Sequence, residues 1–125
     1  MAIIRDTDKT IVHILLDESG VVIDLDTLSG IIAKVFQKGT EIDKFSLNAQ
    51  TGFNTIEKTD APNGILTFFL NAENLRKAKA PYEVFYEIKY EKVNTDFDND
   101  VEERSTGAIS LGKLQSSKLI NNTFV

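Results

Sequence analysis

The chain has 125 residues, 42% of them hydrophobic and 26% charged, with a formal net charge of −5 and no cysteine. A chain of this size can bury a single core without a disulfide or metal staple, and the missing thiols exclude disulfides, cysteine nucleophiles and cysteine zinc sites. A net negative surface repels phosphate backbones, and no apolar run approaches the roughly 18 residues that span a bilayer, so neither nucleic acid nor membrane is an expected partner.

Residues 1–8 read as an N-terminal arm without the apolar run of a secretory leader. Beyond them, short β-type runs alternate with turn residues at about 10-residue spacing, the pattern of sandwiches and barrels. Thr10–Leu16 is rich in β-branched residues and is stopped by Asp17-Glu18-Ser19-Gly20, after which Val21–Leu25 reads as a second strand. In Gly30–Gln37, Ile31, Ala33 and Val35 fall on one face and Ile32, Lys34 and Phe36 on the other. A Lys38-Gly39-Thr40 turn leads to a strand marked by Ile42, Phe45 and Leu47, so the two runs make a hairpin, although the second alternates imperfectly. Gln50–Lys58 carries Phe53 and Ile56 with a weaker pattern. In Asp60-Ala61-Pro62-Asn63-Gly64, proline presets φ and Asn-Gly tolerates positive φ, the chemistry of a turn. Ile65–Leu70 is apolar on both faces, as in a central strand covered on both sides.

Asn71–Ala80 is the one helical piece, a short connector near 72–79 with Asn71 as N-cap and Pro81 as its stop. Tyr82–Val93 then alternates strictly, with Tyr82, Val84, Tyr86, Ile88 and Tyr90 on the face expected to be buried. Asn94–Glu103 is an acidic loop, and Arg104–Leu111 returns as a strand. Residues 113–125 read as a C-terminal tail in which Leu119, Ile120, Phe124 and Val125 are spaced among polar residues. Such a segment either adds to a partner's sheet or groove or frays as chain ends do. The expected architecture is an all-β, antiparallel, Ig-like sandwich of about seven or eight strands over residues 9–112.

Reactive chemistry is sparse. His13, the only histidine, lies between Val12 and Ile14 in an apolar strand, so it reads as a satisfied strand histidine before a catalytic base, and a multi-histidine metal site is impossible within one chain. In the loop after β-type run 82–93, Asp96, Asp98 and Asp100 place carboxylates on alternate positions, as an EF-hand begins. Val101 stands where that loop needs glycine and Gly107 where it needs the bidentate glutamate, so a solvated hairpin tip is the first reading and a weak cation site the second. Gly112-Lys113 is followed by Leu114 rather than Ser or Thr, so the phosphate-loop signature fails. The three tyrosines share one strand face and there is no tryptophan, which favours core packing over a sugar-binding platform. No enzymatic activity and no cofactor are expected.

The order of elements is similar to that of the N-terminal Ig-like β-sandwich domains of bacteriophage baseplate and tail proteins of the upper-baseplate type. An opening run (IVHILLDESGVVIDLDTLSG) leads into GIIAKVFQKG; then come NGILTFFLNAENLRKAKAPYEVFYEIKYE and a closing ERSTGAISL, so the resemblance spans residues 9–112. It implies a non-enzymatic virion structural module, assembled in the host cytoplasm, whose partners are other virion proteins and further copies of itself. The chain departs from those domains in lacking the helical or fibre extension that follows them, so tail, baseplate, connector and capsid-decorating positions all stay open. A carbohydrate-binding or adhesion sandwich is the alternative.

Overall fold

The computed structural model describes residues 3–4, 7–47 and 51–115. The chain runs through β1 (Ile3–Ile4), β2 (Lys9–Ile14), β3 (Gly30–Gln37), β4 (Thr40–Ser46), β5 (Asn54–Thr55), β6 (Glu57–Asp60) and β7 (Ile65–Leu70). The one α-helix among the described residues, α1 (Ala72–Leu75), precedes β8 (Glu83–Val93), β9 (Val101–Ser105) and β10 (Ile109–Gln115). The strands form two sheets, one of seven strands ordered β1-β10-β8-β3-β4-β5 with β9 also on β8, and one of three ordered β2-β7-β6. Side chains from both sheets meet in one core, where the Phe68 ring lies 4.8 Å from Phe45 and 5.7 Å from Tyr86. The fold is an all-β sandwich.

Not every pair is antiparallel. β1 lies parallel to β10, and β5 parallel to β4. Both are two-residue strands at the margins of the larger sheet that no tight hairpin joins to their neighbours, so the antiparallel constraint of a hairpin does not act on them.

The hairpin of β3 and β4 forms as its pattern predicts, with Ile31, Ala33 and Val35 buried. The imperfect alternation of β4 has a structural cause. Val35 opposes Asp43 and Phe36 opposes Glu41, so Ile42 is an inserted bulge residue, and both Ile42 and Phe45 reach the core.

Arg104–Leu111 is not one strand: β9 starts at Val101, inside the expected loop, and ends at Ser105, and β10 starts at Ile109. Three further segments depart from expectation. Val21–Leu25 is no strand; it keeps only a bridge between Leu16 and Val22, followed by a 3-10 turn over Leu25–Thr27. Asp17 accepts from the N–H groups of Ser19 and Val21 and Asp24 from that of Asp26, so local side chains shape the turns at both ends, and the Ile23 N–H donates to the Leu15 carbonyl at 3.0 Å. The helix stops at Leu75. Beyond it the Lys77 and Ala78 N–H groups donate to the Asn74 and Leu75 carbonyls in tighter turns, and Gln37 reaches across from β3 to hold Lys79, donating to its carbonyl at 2.7 Å and accepting from its N–H at 2.8 Å. Asn71 makes no side-chain capping bond; Asp8 caps instead, accepting from the Ala72 N–H at 2.7 Å. Finally, β7 is central in its sheet but unevenly covered on its outer side. Leu66, Phe68 and Leu70 are buried inward, while on the outer side Thr67 is buried against its neighbours, with its hydroxyl bonded to that of Thr59, and Phe69 is 46% exposed; among the described residues no further layer lies outside the three-stranded sheet.

β10 extends to Gln115, three residues into the segment read as a tail. Leu119, Ile120, Phe124 and Val125 lie outside the described residues.

Candidate functional site

Period-two geometry divides β2 into two rows. Ile11 and His13 point inward and Leu15 continues that row into the core, while Thr10, Val12 and Ile14 point outward. On the outer face Val12 is 58% exposed, Ile14 52% and Leu16 46%. Phe69 stands beside them, opposite Thr10 in the ladder, and Val22 extends the patch where the bridge to Leu16 forms. A contiguous exposed apolar patch of this kind marks an interaction surface on a monomer, whereas scattered apolar residues do not.

The same strand is an open edge. Leu15 donates to the Gly64 carbonyl at 2.9 Å and Asp17 to the Val21 carbonyl at 2.8 Å, both on the β7 side. By alternation, the odd-numbered residues of β2 turn their backbone groups to β7, and Thr10, Val12, Ile14 and Leu16 turn theirs away from the sheet. Among the described residues, β7 is the only strand that pairs with β2. The other margins carry the usual protection against edge-to-edge pairing. β1 and β5 are two residues long, β6 is built from Glu57, Lys58, Thr59 and Asp60 with a register shift before Asp60, β9 carries Glu102, Glu103 and Arg104, and β10, which β1 covers only at Leu114 and Gln115, has a register shift between Ser110 and Gly112. β2 has neither proline nor bulge. The backbone groups that turn away from β7, beside exposed Val12 and Ile14, can be met by another strand, with the apolar row giving side-chain contact on one face.

His13 and Tyr86 link the two sheets behind this edge. Nδ1 of His13 lies 2.9 Å from the Tyr86 hydroxyl, and the rings meet edge to face with centroids 5.7 Å apart. Burial holds the His13 imidazole below its ordinary pKa and raises that of the Tyr86 phenol. Both shifts favour the neutral forms, so the pair acts as a hydrogen bond between sheets.

The densest charged group surrounds Glu102. Its carboxylate accepts from Arg104 at 2.8 Å and pairs with Lys92 at 3.2 Å, and Arg104 also pairs with Glu18 of the turn after β2. The Arg104 hydrogen bond first, and Lys92 second, hold the Glu102 pKa below its ordinary value, and the same bond raises that of Arg104. Tyr90 alongside is pushed up by burial, against the opposing pull of Arg104 and Lys92. The cations are matched to carboxylates, which ties β9 to that turn. A cleft of about 550 Å³ at one end of the large sheet, lined by Ser29, Ile32, Ser46, Lys89, Glu91 and Glu103 among others, mixes polar and apolar groups without a reactive cluster.

The acidic loop does not gather its carboxylates. Asp96, Asp98 and Asp100 are exposed, Asn99 and Asp100 take left-handed φ of 62° and 59°, and Asn94 accepts from the Asp96 N–H at 3.1 Å. Among the described residues no group of three or more His, Cys, Asp or Glu side chains is placed to hold a metal ion. The tyrosines form no common platform either: Tyr82 is 64% exposed, Tyr86 buried and Tyr90 half-buried. No helix among the described residues is long and apolar enough to cross a membrane.

Sequence reasoning placed a strand at Thr10–Leu16 but did not single out its outer row. The available signal was the run from Ile11 to Leu16, apolar except for His13, which leaves apolar side chains on both faces. Comparison of the chain with protein-family models, with curated proteins and with solved structures finds no match among any of them.

Proposed function

We propose that this chain is a non-enzymatic structural protein that works through protein–protein contact, docking by the outer face and open edge of the β2-β7-β6 sheet. One observation carries this reading: Val12, Ile14, Leu16 and Phe69 are about half exposed on one face, beside a strand that, among the described residues, pairs with β7 alone. An apolar face exposed in this way is stabilised when a partner removes it from water. The setting we propose is a virion, as a component of a phage tail, baseplate, connector or capsid surface, with other virion proteins and the chain itself as partners. That setting rests on the order of elements from residue 9 to 112.

The reading is tested by light scattering on the purified chain together with pull-down against the products of the genes flanking its own. A defined oligomer, or a specific complex with a flanking tail or capsid protein that Phe69→Lys weakens, supports it. A monomer that binds none of those products overturns it.

A further inference from the structure

We infer that Asn63 is a site of spontaneous deamidation, with water as the co-reactant, and that the turn before β7 gates the reaction. Asn63-Gly64 is the only Asn-Gly pair in the sequence. Asparagine amides are thermolabile, and a following glycine leaves the attacking backbone nitrogen unshielded by any side chain. Asn63 is exposed, while Gly64 is buried. In the reaction the Gly64 nitrogen gives up its proton and attacks Asn63 Cγ. A new N–C bond forms, the Cγ–Nδ2 bond breaks, and the amide nitrogen leaves as ammonia with that proton. Water then opens the cyclic imide at either carbonyl, adding OH to the carbon and H to the nitrogen. One product carries aspartate at position 63. The other carries isoaspartate, whose main chain runs through the former side chain and is one carbon longer.

The closed turn holds both reacting groups out of reach of one another. The Gly64 N–H donates to the Ala61 carbonyl at 3.0 Å, so its proton is withheld from solvent base. The Asn63 side chain is turned aside, with Nδ2 donating to Asp60 Oδ2 at 2.8 Å. The 3-10 backbone over Ala61–Asn63 also directs the Gly64 nitrogen away from Asn63 Cγ, and ring closure needs rotation about the Asn63 Cα–C bond. Packing behind the turn opposes that rotation. A Cβ on Gly64 would lie 2.8 Å from the Ile23 carbonyl oxygen and 2.9 Å from that of Leu15, and the Gly64 carbonyl accepts from the Leu15 N–H at 2.9 Å. Reaction therefore requires the turn to open. Isoaspartate then blocks the return, since the longer main chain cannot restore the Ala61 and Leu15 hydrogen bonds together in that space.

The test incubates the full chain at mildly alkaline pH, folded in buffer and unfolded in urea, with Asn63→Gln as the control. Peptide mass spectrometry follows the mass gain of amide becoming acid and separates the aspartate and isoaspartate peptides. The unfolded chain is expected to convert at residue 63 at least about tenfold faster than the folded one, and Asn63→Gln to remove that signal. Both deamidation and hydrogen exchange begin with loss of the Gly64 amide proton from the opened turn. The slowing of conversion in the folded chain should therefore match the exchange protection of that amide to within about threefold, and sub-denaturing urea should raise both rates in parallel. In the isolated isoaspartate product the Leu15 amide loses its protection; in the aspartate product it keeps it.

Three results overturn the inference. A folded chain that converts as fast as the unfolded one has no gate at the turn. An unfolded chain that converts at other asparagines and not at residue 63 has no reactive site there. Conversion in the folded chain that is slowed far more or far less than exchange of the Gly64 amide proceeds through some other motion of the fold.

Discussion

Gly64 closes the turn before β7 with φ at +70°, and its backbone is crowded as well as left-handed. A Cβ there would lie 2.8 Å from the Ile23 carbonyl oxygen, 2.9 Å from that of Leu15 and 3.0 Å from Val22 Cγ1. Two of these neighbours are backbone atoms, and the Gly64 carbonyl is itself the acceptor for Leu15. The contact therefore cannot be relieved by swinging a flexible side chain. Gly20 provides the control, since its φ is +79° and a Cβ would meet nothing within 4 Å. Gly20→Ala should cost only the left-handed penalty, about 1–2 kcal/mol. Gly64→Ala should cost that plus the clash, at least about 2 kcal/mol more, by analogy with overpacking elsewhere. Urea unfolding of the two variants measures the difference, and equal costs would show that the close approach at Gly64 relaxes freely.

Neighbouring elements are fastened by side chains far apart in sequence, and this limits what local pattern reveals. The segment after α1 is held at Lys79 by Gln37 and the start of α1 is capped by Asp8, neither of which lies within the helical segment. A reading of residues 71–80 alone contains neither contact, so it extends the helix to the proline. β9 is fastened in the same way, through Glu102 to Lys92 on β8 and through Arg104 to Glu18. Because the folded pKa of Glu102 lies below its ordinary value of 4.5, the unfolded chain takes up that proton first as pH falls. The contribution of the carboxylate is thus present above that ordinary value and is lost as pH drops through the lower folded one. Glu102→Gln should loosen β9 at neutral pH and flatten the acid limb of the stability curve. Hydrogen exchange of the β9 amides at neutral pH, with melting temperatures between about pH 6 and pH 3, tests both effects. Wild-type exchange rates and an unchanged acid limb in the variant would show that the ion cluster is incidental.

Over the whole molecule, the sandwich was legible because 30–37 and 82–93 alternate strictly, and their inward rows of Ile31, Ala33 and Val35 and of Val84, Tyr86 and Ile88 are the ones buried. What covers each outer face was not legible. Val12, Ile14 and Phe69 have the same sequence signature whether they meet a third layer, a partner or water, and it was the exposed outcome that pointed to an interface. Tyr82 was misplaced for a related reason, since period-two spacing continues past the point where the sheet begins at Glu83. The two layers are joined by an aromatic line from Phe45 through Phe68 to Tyr86, ending at the His13–Tyr86 hydrogen bond near the open edge. That end responds to pH. Burial holds the folded pKa of His13 below 6.5, so below that pH the unfolded chain binds the proton more readily than the folded one. The association of the sheets is therefore fully supported above pH 6.5 and weakens as pH falls from there to the folded pKa. His13→Gln keeps a polar group facing the Tyr86 hydroxyl and cannot titrate. Its melting temperature should fall less than that of the wild type between about pH 7 and pH 5, a range in which the ordinary histidine titrates and most carboxylates do not. Parallel curves for the two proteins would mean that His13 protonates without cost in the fold, and the inter-sheet hydrogen bond would then contribute nothing to how the layers hold together.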